Sequence, residues 1–305
     1  MTKKNYVCVL TDSQSDKLKE ILVNKNWDIS SAPYALWKAQ KNKITAVAYQ
    51  SGKFCVQGKD VSDFVQFILE PEVLEKAEFG YEFELAKENN PDMFMPHIGI
   101  DESGKGDYFG PLVVAAVYVD DKIAEKLFKM DVRDSKLLKN DKKITDIATD
   151  IKKLLPHSFS VLPIGPTTYN NLYKKIGNLN SLLAWGHARV LENVLKNIPS
   201  CKRAVSDQFA KKGVLHNALM KKGKKIEVEQ YPRAEKDIAV AAASILARAE
   251  FVKKLEKLGN QFSVKLPKGA SPQVVKVAQN LFAKYGMSSL EKIAKLHFKT
   301  TEKIC

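Results

Sequence analysis

With 305 residues, 45% of them apolar and 28% charged, the chain is long enough for one large or two ordinary domains and is composed like a folded protein, not a disordered one. A net charge of +14 points to a polyanionic partner, but only five basic residues are arginine, which argues against a protein that reads guanine edges; lysine meets phosphate as a point charge. No apolar run reaches membrane-spanning length and the N-terminus has no apolar leader core, so the expectation is a cytoplasmic protein without a membrane partner, its four scattered cysteines reduced.

Residues 1–59 carry ten lysines against four acids. NYVCVL predicts a strand, and TDSQSDKLKEILVNKNW a helix capped by Thr11 or Asp12 with Leu18, Ile21 and Leu22 inward. YALWKAQ, ITAVAYQ and KFCVQG follow as strands with QSGK as a hairpin turn, and DVSDFVQFILE resumes a helical period. This is a small α+β module whose alternating strands leave one sheet face free. Residues 60–92 then carry ten acids against two lysines and end in NNPD, a breaker, which sets an expected domain boundary near Asn90. The domains are thus 1–90, including the acidic linker, and 91–305.

The second module opens with HIGID, a short strand, then a glycine-rich loop, then PLVVAAVYVD, a second strand. Helical periods follow at DDKIAEKLFKM and NDKKITDIATDIKKLLP, with a strand at SFSVLPIG. Thr167 to Lys196 is helical with a break near GNLN. KRAVSDQF and KIEVEQYPRAE predict strands, and DIAVAAASILARAEFVKKLEKLG the clearest helix; VVKVAQNLFAKYG and SLEKIAKLHF are shorter helical patterns.

The loop, GIDESGKGDYFG from Gly99 to Gly110, comes close to two phosphate-binding patterns. A P-loop needs Ser or Thr after its lysine and a helix behind it; Gly106 and a strand stand there instead. The dinucleotide fingerprint fails on the same strand and on its final glycine spacing. Asp101 and Glu102 would repel a bare phosphate, and make sense only with a divalent cation between. A hairpin with acids at the end of its first strand satisfies every feature. Further acids at strand ends or helix starts are candidates to join them. Asp207 in SDQF is one, or else a turn residue. Glu235 and Asp237 in RAEKD stand two apart at a helix entry, either of them eligible by spacing, or else acids favoured by the helix dipole. The residues by themselves reach a magnesium-dependent phosphodiester site and stop there.

In order, DESGKGDYFGPLVVAAV, RDSKLL, SDQF and KDIAVAAASILAR resemble a type 2 ribonuclease H over residues 95–260, and GKG in place of an arginine-centred triplet resembles ribonuclease HIII. The resemblance implies an RNase H-like α/β catalytic domain, a mixed sheet with helices on both faces, preceded by a small α+β, TATA-binding-protein-like substrate-binding domain. It implies an endonuclease that hydrolyses the RNA strand of RNA/DNA hybrids, leaving 5′-phosphate and 3′-hydroxyl ends. Its metal-holding and catalytic acids fall on Asp101, Glu102, Asp207 and Glu235. They would hold Mg²⁺ or Mn²⁺, two ions per site, one to activate water and one to stabilise the leaving 3′-oxygen. Gly104, Lys105 and Gly106 fall on the triplet that meets ribose 2′-hydroxyls, the groups that separate RNA from DNA. Lys136 falls on a phosphate-contacting position or is a surface lysine. The expected partner is the hybrid duplex alone, with the chain a monomer. The competing readings are a ribonuclease HII-like enzyme acting at single embedded ribonucleotides, a hybrid binder without cleavage, and a sequence-reading DNA-binding protein. All four acids argue against the second of these, and the arginine shortage against the third. The five histidines form no motif, which leaves histidine-based attack by the 2′-hydroxyl without support; His97 is expected to be structural.

Overall fold

The computed structural model describes residues 4–132 and 140–304, with Lys212 described by its backbone alone. Two compact units divide the chain, Met1–Asn89 and Asn90–Cys305.

The first unit contains β1 (Asn5–Val9), α1 (Asp12–Asn24), β2 (Asp28–Ser30), β3 (Ala35–Lys41), β4 (Ile44–Tyr49), β5 (Lys53–Gly58), α2 (Val61–Phe64) and α3 (Glu82–Asn89). Thr11 caps α1 in a reciprocal box: its hydroxyl accepts from Gln14 N–H, and the Gln14 side chain accepts from Thr11 N–H. The sheet is antiparallel throughout, in the order β1-β5-β4-β3-β2. Leu18 and Leu22 of α1, Trp37 and Phe54 of the strands, and Phe64 and Leu69 after β5 make its core on one face. The other face exposes Val7, Val9 and Leu36. Two features depart from the sequence reading. Strand β2 is a three-residue element too short to show a period. The acidic segment is not all linker: helical structure runs on as wider turns over Val65–Leu74, and the buried Glu70 accepts backbone N–H bonds from Glu78 and Phe79 at 2.8 and 2.9 Å.

The second unit contains β6 (His97–Ser103), β7 (Leu112–Val119), α4 (Asp121–Lys129), α5 (Asp141–Leu154), β8 (Phe159–Ile164), α6 (Pro166–Ile176), α7 (Leu179–Asn197), β9 (Arg203–Asp207), α8 (Lys212–Ala218), β10 (Glu227–Tyr231), α9 (Ile238–Gln261), α10 (Pro272–Tyr285), α11 (Met287–Ile293) and α12 (Lys299–Glu302). Its mixed sheet has the order β10-β9-β6-β7-β8. Strands β6, β7 and β8 are antiparallel neighbours, while β9 and β10 run parallel to β6. Ile98 and Ile100 of β6 pack with Leu183 and Leu191 of α7 on one face, each such buried side chain contributing about 1.5–3 kcal/mol. On the other face α9 lies against β6 so closely that a Cβ on Gly99 would stand 2.2 Å from the Ala239 carbonyl carbon and the Val240 nitrogen. Glycine at 99 is therefore a condition of this helix–strand contact.

The helical pattern SLEKIAKLHF is only half realised. Helix α11 stops at Ile293, and Ala294 is extended and bridges Phe109. Backbone bonds to the glycine loop, Gly110 N–H to Ile293 and Lys295 N–H to Tyr108, replace the next helical turn. Helix α8, four residues past β9, was not expected from the sequence.

Candidate active site

The glycine loop joins two antiparallel strands, with Ser103 opposite Val113, as the hairpin reading requires. Gly104 has φ +89°, and a Cβ there would stand 2.2 Å from the Pro111 carbonyl oxygen, so the turn itself demands glycine. At Gly106 a Cβ would meet no protein atom within 4 Å, so the fold does not demand glycine there.

Side chains alternate across a strand, so Asp101 and Glu102 leave β6 on opposite faces. Asp101 faces α9, where Ser244 hydrogen-bonds it. Glu102 faces α7, where its Oε2 lies 3.0 Å from His187 Nε2 and its Oε1 lies 3.6 Å from Lys105 Nζ. Strand β9 runs parallel beside β6 with Ser206 opposite Ile100, which brings Asp207 level with Asp101 on adjacent strands. Asp207 Oδ1 accepts from Ala234 N–H at 3.1 Å, which anchors the short 3-10 turn Ala234–Lys236 that carries Glu235. Asp101, Asp207 and the Glu235 turn thus gather at one end of the sheet.

Asp237 does not join them. It is the buried N-cap of α9, accepting from Ala239 and Val240 N–H, and its carboxylate faces His97. Glu235 and Asp237 are therefore not successive positions of one helix: the first sits in a separate turn and the second in the extended residue before α9. Lys136 lies outside the described residues.

Burial pushes the Asp101 carboxyl up to about 7, with the neighbouring Glu102 charge as the second cause. Burial alone would raise Glu102 as well, but His187 and Lys105 outweigh it and hold that carboxyl below its usual range. The acids offer only oxygen donors, which suits a hard divalent ion. Asp101 and Asp207 are the two acids that the strand register sets level on β6 and β9. Among the described residues no three His, Cys, Asp or Glu side chains already converge on one point, and Glu102 is drawn to the α7 face.

Sequence reading missed three groups here: His187, Ser206 and Ser244. Ser206 stands beside Asp207 in SDQF and Ser244 lies in KDIAVAAASILAR, but neither was singled out, and His187 lies outside these motifs. The one signal was the position of His187 in LNSLLAWGHARVL, four residues after Leu183 and four before Leu191, a polar ring in an apolar stripe.

A model of the family described as Ribonuclease HII matches residues 98–301, and one described as Domain of unknown function (DUF3378) matches residues 5–78. The chain is 42% identical over 302 residues to Ribonuclease HIII of Chlamydia caviae, covering 98% of this chain and 97% of that one. It is 41% identical over 299 residues to Ribonuclease HIII of Protochlamydia amoebophila, covering 98% and 96%. The chain belongs to the ribonuclease HIII family. Among solved structures, Bst-RNase HIII in complex with Mn²⁺ is 29% identical with a TM-score of 0.65, over 98% of this chain and 97% of that one. RNase H3 of Aquifex aeolicus is 26% identical with a TM-score of 0.53, over 96% and 100%. Ribonuclease HIII relatives therefore match both units of this chain, whereas the Ribonuclease HII model covers the second unit. Among the described residues no helix is long and apolar enough to cross a membrane.

Proposed function

We propose that Asp101, Glu102, Asp207 and Glu235 form the metal-holding centre of a ribonuclease H that cuts the RNA strand of RNA/DNA hybrids and leaves 5′-phosphate and 3′-hydroxyl ends. The activity follows from family membership: the chain is a metal-dependent ribonuclease H. The assignment of residues rests chiefly on one observation, Asp101 and Asp207 level on adjacent parallel strands, with Asp101 pushed up to about 7 by burial and by Glu102.

Asp101, Glu102, Asp207 and Glu235 would hold Mg²⁺ or Mn²⁺, which would supply an activated water and neutralise charge on the phosphate and its leaving oxygen. The remaining work belongs to the chain. Asp101 would have to be ionised to hold the ion, so its raised carboxyl would link ion binding to proton release. Ala234 N–H fixes the Asp207 carboxylate and with it the position of the Glu235 turn. Gly106, free of protein atoms where a side chain would stand, lets a ribose approach the loop backbone, where a 2′-hydroxyl can hydrogen-bond. Lys105 Nζ is 39% exposed at the side-chain level and lies 5.9 Å over the Phe209 ring, within reach of a backbone phosphate. Lys136 is a second candidate phosphate contact. The first unit, with its lysines and exposed sheet face, is the candidate holder of the duplex.

The test is cleavage of an end-labelled RNA/DNA hybrid by the full chain with Mg²⁺, with Mn²⁺ and with chelator, beside Asp101→Asn. Metal-dependent cleavage by the wild type, and none by a variant that still binds hybrid, is expected. Near-normal cleavage by Asp101→Asn removes the site assignment.

A further inference from the structure

We propose that His187 is a positioning residue that fixes the Glu102 carboxylate, and that Ser206 fixes His187 in turn. The proposal rests on Glu102 being a metal ligand. His187 sits on α7 with no exposed surface, among Leu183, Leu191 and Val194. A polar ring so enclosed needs partners for both nitrogens. Both have them. Nε2 lies 3.0 Å from Glu102 Oε2, and Nδ1 lies 3.1 Å from Ser206 Oγ. The Ser206 hydroxyl oxygen also lies 3.0 Å from the Asp207 carbonyl oxygen, a second acceptor for its one hydrogen.

An ionised carboxylate only accepts, so the imidazole hydrogen facing Glu102 is on Nε2, and Nδ1 accepts from the Ser206 hydroxyl, which sets the ring's orientation. The result is a buried chain of bonds from Glu102 on β6, through α7, to Ser206 on β9, the residue before Asp207. It ties one proposed ligand to the residue beside another without touching the ion. Phe209 closes it from the outside, its ring 4.6 Å from the imidazole. Lys105 approaches the other Glu102 oxygen, so the carboxylate is held on one side by a rigid ring in the core and on the other by a flexible loop cation. His187 therefore decides where Glu102 can stand, and Lys105 only biases it. A histidine that merely filled space would be served by a leucine at this point of the apolar stripe. The two hydrogen bonds are what leucine cannot supply.

The experiment uses the full-length, metal-stripped protein and reads Mn²⁺ affinity by titration calorimetry alongside hybrid cleavage. His187→Ala is expected to weaken Mn²⁺ binding by about 10–100-fold and to lower kcat similarly, the range typical of lost outer hydrogen bonds to metal ligands, with KM for the hybrid within about twofold. His187→Gln, whose amide N–H reaches towards the same oxygen, is expected to recover most of both losses. His187→Ala added to Glu102→Gln is expected to change little beyond Glu102→Gln alone, since both remove one interaction. Wild-type Mn²⁺ affinity in His187→Ala, or equal losses in the Ala and Gln variants, overturns the proposal. If His187→Ala does not fold, Ser206→Ala takes its place, with a weaker loss of Mn²⁺ affinity expected and an unchanged affinity overturning. Glu102→Gln alone separates the two ideas: if it binds Mn²⁺ like the wild type, the ligand reading of Glu102 has failed, and the positioning role falls with it.

Discussion

Asp237 and His97 lock the start of α9 to the start of β6. Both carboxylate oxygens of Asp237 lie 2.9 Å from His97 Nε2, and the other ring nitrogen lies 2.7 Å from the Met95 carbonyl oxygen. The same carboxylate caps the first turn of α9 through Ala239 and Val240 N–H. Every oxygen of Asp237 is committed to structure, two residues away from an acid assigned to chemistry.

Asp237→Ala leaves His97 Nε2 and two N–H groups of α9 without their partner and is therefore expected to cost about 1–3 kcal/mol. The folded fraction should keep turnover within a few-fold. Glu235→Gln should do the opposite, lowering turnover by orders of magnitude with little change in melting temperature. Thermal melts and cleavage rates of the two variants side by side decide between these roles. A folded but dead Asp237→Ala beside an active Glu235→Gln would reverse the assignment.

The two glycines of the triplet should separate in the same way. Gly104→Ala meets a backbone oxygen at positive φ and should destabilise by about 1–3 kcal/mol. Gly106→Ala meets nothing in the protein, so its melting temperature should equal that of the wild type. Its cleavage of hybrid should nevertheless fall about tenfold or more, because a methyl group there holds the ribose off the loop. Unchanged cleavage by Gly106→Ala would remove the loop backbone from substrate recognition.

Asp101 makes the metal-free protein's stability depend on pH. Its carboxyl titrates near 7 when folded, raised by burial and by Glu102, and in the ordinary carboxylate range when unfolded. The folded state then binds the proton more tightly, so the cost of ionisation is fully present above pH 7 and vanishes below the unfolded value, about 4. In chelator, Asp101→Asn should melt above the wild type at pH 8, and the difference should shrink as the pH falls through 7. Melts at pH 5 and pH 8 test the sign. Mn²⁺ affinity of the wild type should rise over the same interval, since the ion displaces that proton.

Lys295 is fully buried, with Nζ donating to the Gly110 carbonyl at 2.7 Å and lying 3.5 and 3.4 Å from the Phe109 and Pro111 carbonyl oxygens. Burial pulls its ammonium down to about 7. Lys295→Met leaves those carbonyls unpaired and should cost about 1–3 kcal/mol, with weaker hybrid binding because the glycine loop loses its support. For a lysine with a depressed folded value, the charging penalty is full below pH 7 and fades towards the unfolded value near 10.4. The wild type should therefore gain stability over the variant between pH 7 and 9. A gap that narrows over that interval would contradict the depressed value.

Removal of residues 1–89 should leave a folded second unit with its own sheet and core, able to cleave but binding hybrid more weakly. Loss of lysine–phosphate contacts should also flatten the dependence of affinity on salt. An unchanged affinity and salt slope would take the first unit out of substrate binding.

The strands and long helices were legible in the sequence because each carries its own period. LVVAAVYV could only be a buried strand, and IAVAAASILARAEF a helix pressed against a sheet. The hairpin around the glycine loop was legible because Gly106 and Pro111 leave no room for a phosphate-binding helix. Helix α8 and strand β2 were not, being too short to show a period. The helical pattern beyond Ile293 was overridden by pairing with Phe109, a partner 185 residues earlier.

The same division holds at the candidate site. Asp101 and Asp207 stood out as acids at the ends of β-like runs, and residue chemistry alone carried them as far as a metal. Glu235 and Asp237 were equivalent by spacing and the resemblance selected Glu235; the structure adds that Asp237 has its own partner in His97, while the Glu235 turn is anchored by Asp207. Opposite faces for Asp101 and Glu102 follow from strand alternation, but the destination of Glu102 does not. It depends on His187, 85 residues away on a helix that packs across the sheet. Periodicity is a property of neighbouring residues and is written in the sequence; the partner of a buried polar group is chosen by which elements the core brings into contact, and that is decided only when the chain folds.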